Sequence, residues 1–269
     1  METVLIFAGL LLLGAVVGFL AGLLGIGGGL LTVPFITMLL AQHATSGEQI
    51  VHMAVATSAA TIVFTSLSSI RVHYAHHAIL WPVCRSVVPG LLLGGFLGAQ
   101  LASLLPKAPL ALVFAGFTAF SATQMLLGKT PKATRELPKR WGLVGVGTII
   151  GIISSLIGAG GGFLSVPYLI WNNVAVRNAV ATSAAMSFPI AVASTIGFII
   201  SGWNAPDLPP YSFGFIYVPA LIAIVATSIL FAPLGARAAH RWPVATIRRF
   251  FAFLLYALGL YMVKKAFFS

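Results

Sequence analysis

Long apolar stretches follow one another along this chain, separated by short polar or glycine-rich joints. In the first half they run near 4–24, 30–41, 54–70, 79–104 and 108–127. In the second they run near 141–157, 163–171, 179–201, 211–236 and 244–267. A helix that crosses a bilayer needs about 20 apolar residues, with about 17 as a lower limit. Stretches 30–41 and 163–171 fall short of that, and each follows a run of glycines. They read as half-helices that return from a broken hairpin. The pattern predicts an all-α polytopic integral membrane protein with about 8 full spans plus two short half-helices.

The pattern also repeats. Gly25-Ile26-Gly27-Gly28-Gly29-Leu30-Leu31-Thr32-Val33-Pro34 returns 133 positions later as Gly158-Ala159-Gly160-Gly161-Gly162-Phe163-Leu164-Ser165-Val166-Pro167. Val55-Ala56-Thr57-Ser58-Ala59-Ala60 returns 125 positions later as Val180-Ala181-Thr182-Ser183-Ala184-Ala185. Gly98-Ala99, Pro106, Phe114 and Met125 match Gly235-Ala236, Pro243, Phe251 and Met262 at a spacing of 137. Three blocks in the same order, with spacings that change only between elements, indicate duplication. The chain divides into a first repeat over 1–127, a basic linker over 128–140 and a second repeat over 141–269.

Composition agrees with lipid as the solvent: 59% of the 269 residues are hydrophobic and 7% are charged. The net charge of +11 does not point to nucleic acid, because the basic residues bracket apolar stretches instead of forming a polar basic domain. Lys129, Lys132, Arg135, Lys139 and Arg140 sit in one joint, and Arg237, Arg241, Arg248 and Arg249 flank another. Such joints mark the cytoplasmic side. With both termini outside, Arg71, 128–140, Arg177 and 237–249 all fall inside, whereas four crossings per half would put Arg237 through Arg249 outside. The charge rule therefore favours two halves of inverted topology. Met1-Glu2-Thr3 lacks the positive start of a cleaved signal peptide, so the first stretch reads as a mature membrane helix. Trp81, Trp141, Trp171, Trp203 and Trp242 lie near stretch ends, as in interfacial aromatic belts.

The repeated glycines are the first candidates for chemistry. Consecutive glycines weaken a helix, yet they let a ligand approach bare backbone N–H groups. At the start of the following half-helix those groups carry partial positive charge, which suits an anion. Close packing by small residues is the competing explanation. Two copies, each with a proline five residues on, favour a site made by Gly25, Gly27, Gly28, Gly29, Gly158, Gly160, Gly161 and Gly162. No Lys-Ser/Thr follows the glycines, so neither copy is a phosphate-binding P-loop. Thr57, Ser58, Thr182 and Ser183 follow in matching places. Their hydroxyls could donate to anion oxygens, or bond back to their own helices.

With its doubled Gly-x-Gly-Gly-Gly-x-x-x-Val-Pro motif and downstream Ala-Thr-Ser, the chain resembles the TauE/SafE family of sulfite exporter-like membrane transporters. The resemblance covers nearly the whole chain. It implies a transporter of the bacterial cytoplasmic (inner) membrane that moves sulfur-containing anions such as sulfite, sulfoacetate or other organosulfonates. It implies membrane lipid and a small anionic substrate as partners, with no cofactor.

The remaining polar residues bear on entry and coupling. Arg71 either draws anions to the cytoplasmic mouth or fixes topology, and His52 and His73 are further mouth or gating candidates. His73, His76 and His77 share a helical turn without a carboxylate or cysteine beside them. That favours a proton-sensitive group over a metal site. Arg85 reads as a snorkelling cation, and Asn172-Asn173 as a helix cap or a substrate contact. Cys84 is the sole cysteine and reads as a packing residue. Glu2, Glu48, Glu136 and Asp207 all lie outside the strongest apolar runs, so no carboxylate relay is visible. Coupling to H+ or Na+, and assembly as a homo-oligomer, are both compatible with this pattern. An anion channel would use the same positive helix ends. An enzyme would need a nucleophile, metal cluster or carboxylate pair, and none is apparent.

Overall fold

The computed structural model describes residues 2–24, 29–43, 49–127, 135–239 and 244–267. Ten helices appear among them: α1 (Glu2–Leu24), α2 (Gly29–His43), α3 (Ile50–Ala75), α4 (Trp81–Leu104), α5 (Lys107–Leu127), α6 (Arg140–Leu156), α7 (Gly162–Trp171), α8 (Val176–Gly202), α9 (Val218–Ala239) and α10 (Val244–Phe267). A hairpin of β1 (Ser212–Phe213) and β2 (Ile216–Tyr217) precedes α9.

Two boundaries differ from the sequence reading. Helices α3 and α8 begin before the apolar runs, so Thr57-Ser58 and Thr182-Ser183 lie about two turns inside them rather than at their starts. Stretch 211–236 opens as the hairpin, not as helix. Pro209 and Pro210 resist helix just ahead of it, and Gly214 turns the chain at φ 57°.

Among the described residues, five helices are long and apolar enough to cross a membrane: α3, α4, α5, α8 and the Arg249–Phe267 part of α10. At 15 and 10 residues, α2 and α7 extend about 22 and 15 Å, short of a hydrocarbon core of about 30 Å. Leu12, Leu104 and Leu230 are 68%, 80% and 69% exposed, in keeping with apolar helices that face lipid. Trp81, Trp141, Trp171 and Trp203 stand at helix ends and are partly or largely exposed. Trp242 lies outside the described residues.

The packing crosses the sequence halves. Helix α1 lies along α9, and α6 lies along α4. Glycines spaced four apart make both contacts close. Gly14 and Gly18 of α1 meet Ile224 and Ser228, while Gly147 and Gly151, their counterparts 133 positions on, meet Val87 and the Leu91–Gly95 backbone. One apolar core joins α1–α3 to α5, α9 and α10, and a second joins α4 to α6–α8. Helices α3 and α8 pack on one another between them.

Candidate functional site

Gly29, at the start of α2, meets the second glycine break beside α3. Gly25, Gly27 and Gly28 lie outside the described residues, so the first loop is represented by Gly29. A Cβ on Gly29 would sit 2.5 Å from the Gly158 carbonyl oxygen and 3.0 Å from the Ala159 Cα. The start of α2 therefore rests directly on the loop that starts α7. Gly158 and Gly161 hold left-handed φ values of 61° and 76°, which a side chain would strain. The Gly158 and Ala159 amides donate back to the carbonyls of Ser155 and Ser154.

Hydroxyls from the adjoining helices satisfy the loop's carbonyls. Ser58 Oγ donates to Gly158 O at 2.8 Å, with Gly29 O at 3.3 Å. Ser165 Oγ donates to Gly161 O at 2.9 Å and lies 2.6 Å from Ser183 Oγ. Ser187 Oγ donates to Gly160 O. Non-helical backbone at membrane depth needs such partners. Ser58 thus gives its proton to protein carbonyls, where an anion oxygen was the expected acceptor. What the loop retains is its donors. The amides of Gly160, Gly161, Gly162 and Phe163 donate to no protein group among the described residues, and no side chain caps α7. Four such amides at a helix start form an electropositive cradle.

The threonines do something the sequence reading did not foresee. Thr57 Oγ1 accepts from the Tyr217 amide at 3.0 Å, just ahead of α9. Thr182 Oγ1 accepts from the Leu80 amide at 3.0 Å, just ahead of α4. These are the same bond in the two repeats: threonines 125 apart receive amides 137 apart, the spacings already visible in the sequence. Each joins a central helix to a helix from the other half of the sequence, within one packing group. Ser187 has no such counterpart, since the matching position in the first repeat is Ile62.

The proposed mouth residues separate. His52 is buried near the start of α3, with Nε2 donating to Leu105 O at 2.9 Å and its ring 5.5 Å from that of Phe215. Arg71 and His73 lie at the other end of α3, about 28 Å along the helix axis. They cannot share one mouth with His52, because a straight helix carries them to opposite ends. Arg71 is exposed there, at the end of α3 where Arg177 donates to the His76 carbonyl at 3.4 Å. Asn172 caps α7 through Nδ2 to Tyr168 O at 2.8 Å. Cys84 is buried and free. Among the described residues no three His, Cys, Asp or Glu side chains gather as a metal site.

The model of the family "Sulfite exporter TauE/SafE" matches residues 10–262. The chain belongs to that family. A protein of Haemophilus influenzae named "Probable membrane transporter protein" is 36% identical over 257 residues, spanning 95% of this chain and 97% of its own. One of Methanocaldococcus jannaschii with a similar name is 27% identical and spans 97% of each chain. "Probable membrane transporter protein YdhB" of Bacillus subtilis is 29% identical over 208 residues, 74% of this chain and 80% of its own. No solved structure matches the chain significantly. As a TauE/SafE member it is an integral membrane protein of a transporter family, matched over both glycine loops.

Proposed function

We propose that this TauE/SafE protein is a secondary transporter that exports a small sulfur-containing anion, sulfite, sulfoacetate or another organosulfonate, across the bacterial cytoplasmic membrane. The observation that carries this reading is the run of four amides at Gly160–Phe163 without an acceptor among the described residues, in the loop whose Gly158 and Ala159 meet Gly29. Backbone donors bind an anion without bringing a cation into the bilayer. A site between two broken hairpins is where inverted-repeat transporters hold their cargo.

Inverted repeats over 1–127 and 141–269, with eight full spans and the half-helices α2 and α7, account for the reciprocal packing of α1 on α9 and α6 on α4. They account equally for the paired threonine bonds. One hairpin then enters from each side, and rocking of the two packing groups gives alternating access. An inside-negative potential drives anions outward by about 2.3 kcal/mol per charge per 100 mV.

Proteoliposomes loaded with labelled sulfite or organosulfonates test this directly. Saturable flux with counterflow is expected, and Gly29→Leu and Gly161→Leu should abolish it. Flux that never saturates would indicate a channel instead. Normal transport by both folded variants would remove the glycine loops from the mechanism.

A further inference from the structure

One buried hydroxyl beside the second loop has no partner among the described residues. Ser154, in the last turn of α6, is fully buried, and its Oγ makes no hydrogen bond. Other helical hydroxyls of this protein bond back to the carbonyl four residues earlier: Thr61, Ser103, Thr148 and Ser194 all do so. That bond is the default for Ser and Thr inside a membrane helix. Ser154 departs from it, and its Oγ points at the loop: a Cβ on Gly161 would lie 3.1 Å from it. The amides of Gly161 and Gly162 flank that Cα. The same residue's carbonyl accepts from Ala159, so Ser154 is fixed to the loop it faces. The other two side chains nearest to that Cβ position, Ile150 and Ile190, offer no acceptor. A hydroxyl buried without a partner costs the fold stability.

We propose that Ser154 is a specificity-determining residue for the transported anion, its hydroxyl donating to one oxygen while the α7 amides hold another. This rests on the transporter reading above and sharpens it. The site becomes one-sided, centred on the second break, and selects oxyanions with several directional acceptors over spherical halides. At the matching position 133 residues earlier stands Ala21, so the first loop lacks this donor. Engagement of the sealed hydroxyl requires a small shift of the 158–161 loop as the anion seats.

Binding of sulfite and of chloride to the full-length protein in detergent or nanodiscs, followed by calorimetry, tests the assignment. Ser154→Ala should weaken sulfite binding roughly 10-fold or more, the usual loss for one hydrogen bond to a charged group. Chloride binding should stay within about twofold, and the unfolding temperature should not fall. Ser212→Ala, which removes another unpartnered hydroxyl in the outer hairpin, should change neither anion. If Ser154→Ala does not fold, Ser154→Cys, close in volume and a weak donor, reads the same loss. Unchanged sulfite affinity in a folded variant overturns the role of Ser154 and leaves the transporter reading intact. A wild-type protein that binds neither sulfite nor an organosulfonate overturns both.

Discussion

Gly94 and Gly145 are both glycines inside membrane helices, and nothing in their local sequence separates them. In the structure a Cβ on Gly94 would collide with the Thr148 backbone of α6, whereas one on Gly145 meets nothing within 4 Å. Gly94→Ala must therefore push α4 and α6 apart, and overpacking of this kind costs about 1–3 kcal/mol. Gly145→Ala relieves only the poor helix propensity of glycine and should stabilise by up to about 1 kcal/mol. Thermal or denaturant unfolding in one detergent compares the two, and equal shifts would refute the packing argument. The residue types at the site were legible, since the glycines and the Thr-Ser pairs stand out by repetition. Their division of labour was not. Whether a glycine serves close helix packing, as Gly147 does, or a left-handed turn, as Gly161 does, depends on the backbone and neighbours that the fold gives it.

Elements add what residues cannot supply alone. Thr57 and Thr182 each accept an amide that precedes a crossing helix, where no helical carbonyl is available to it. Thr182→Val would leave the Leu80 amide unsatisfied in a buried place, at about 1–3 kcal/mol. Thr182→Ser keeps the oxygen and should lose much less. The difference between these two variants in unfolding free energy isolates the bond; similar losses would mean that the threonine methyl, not its oxygen, matters. Helix boundaries were less legible than helix existence. Apolar runs located ten helical stretches, but α3 and α8 extend into polar residues such as His52 and Asn178, because packing between the two central helices supports turns that hydropathy does not mark.

Charge orders the molecule as a whole. Arg71, Arg177 and Arg135, whose guanidinium lies 4.2 Å from the Trp171 ring centre, collect at the end of the bundle where α3 stops and α8 begins. His52, Leu105 and the β1–β2 hairpin meet at the opposite end. Under the positive-inside rule the first end is cytoplasmic. Single cysteines placed by Lys139→Cys and by Asn204→Cys, in a Cys84→Ser background, should then react differently with an impermeant thiol reagent on intact cells. Only the cysteine at 204 should be labelled from outside. Labelling at 139, or at both positions, would contradict the inverted arrangement of the halves.

Hydropathy and repetition by themselves determined that this is a helical membrane protein and that its sequence is internally repeated, and they singled out the glycine breaks as the candidate site. Those properties are local or periodic, so they survive in one dimension. Only the tertiary structure decided that α4 and α9 exchange packing groups, that Gly29 rests on the 158–161 loop, and that Ser58 faces carbonyls while Ser154 keeps its proton free. The exchange of packing groups, the Gly29 contact and the Ser58 bond each depend on residues about 50 to 210 positions apart being brought within a few ångströms, and the state of each hydroxyl depends on whether it meets an acceptor there.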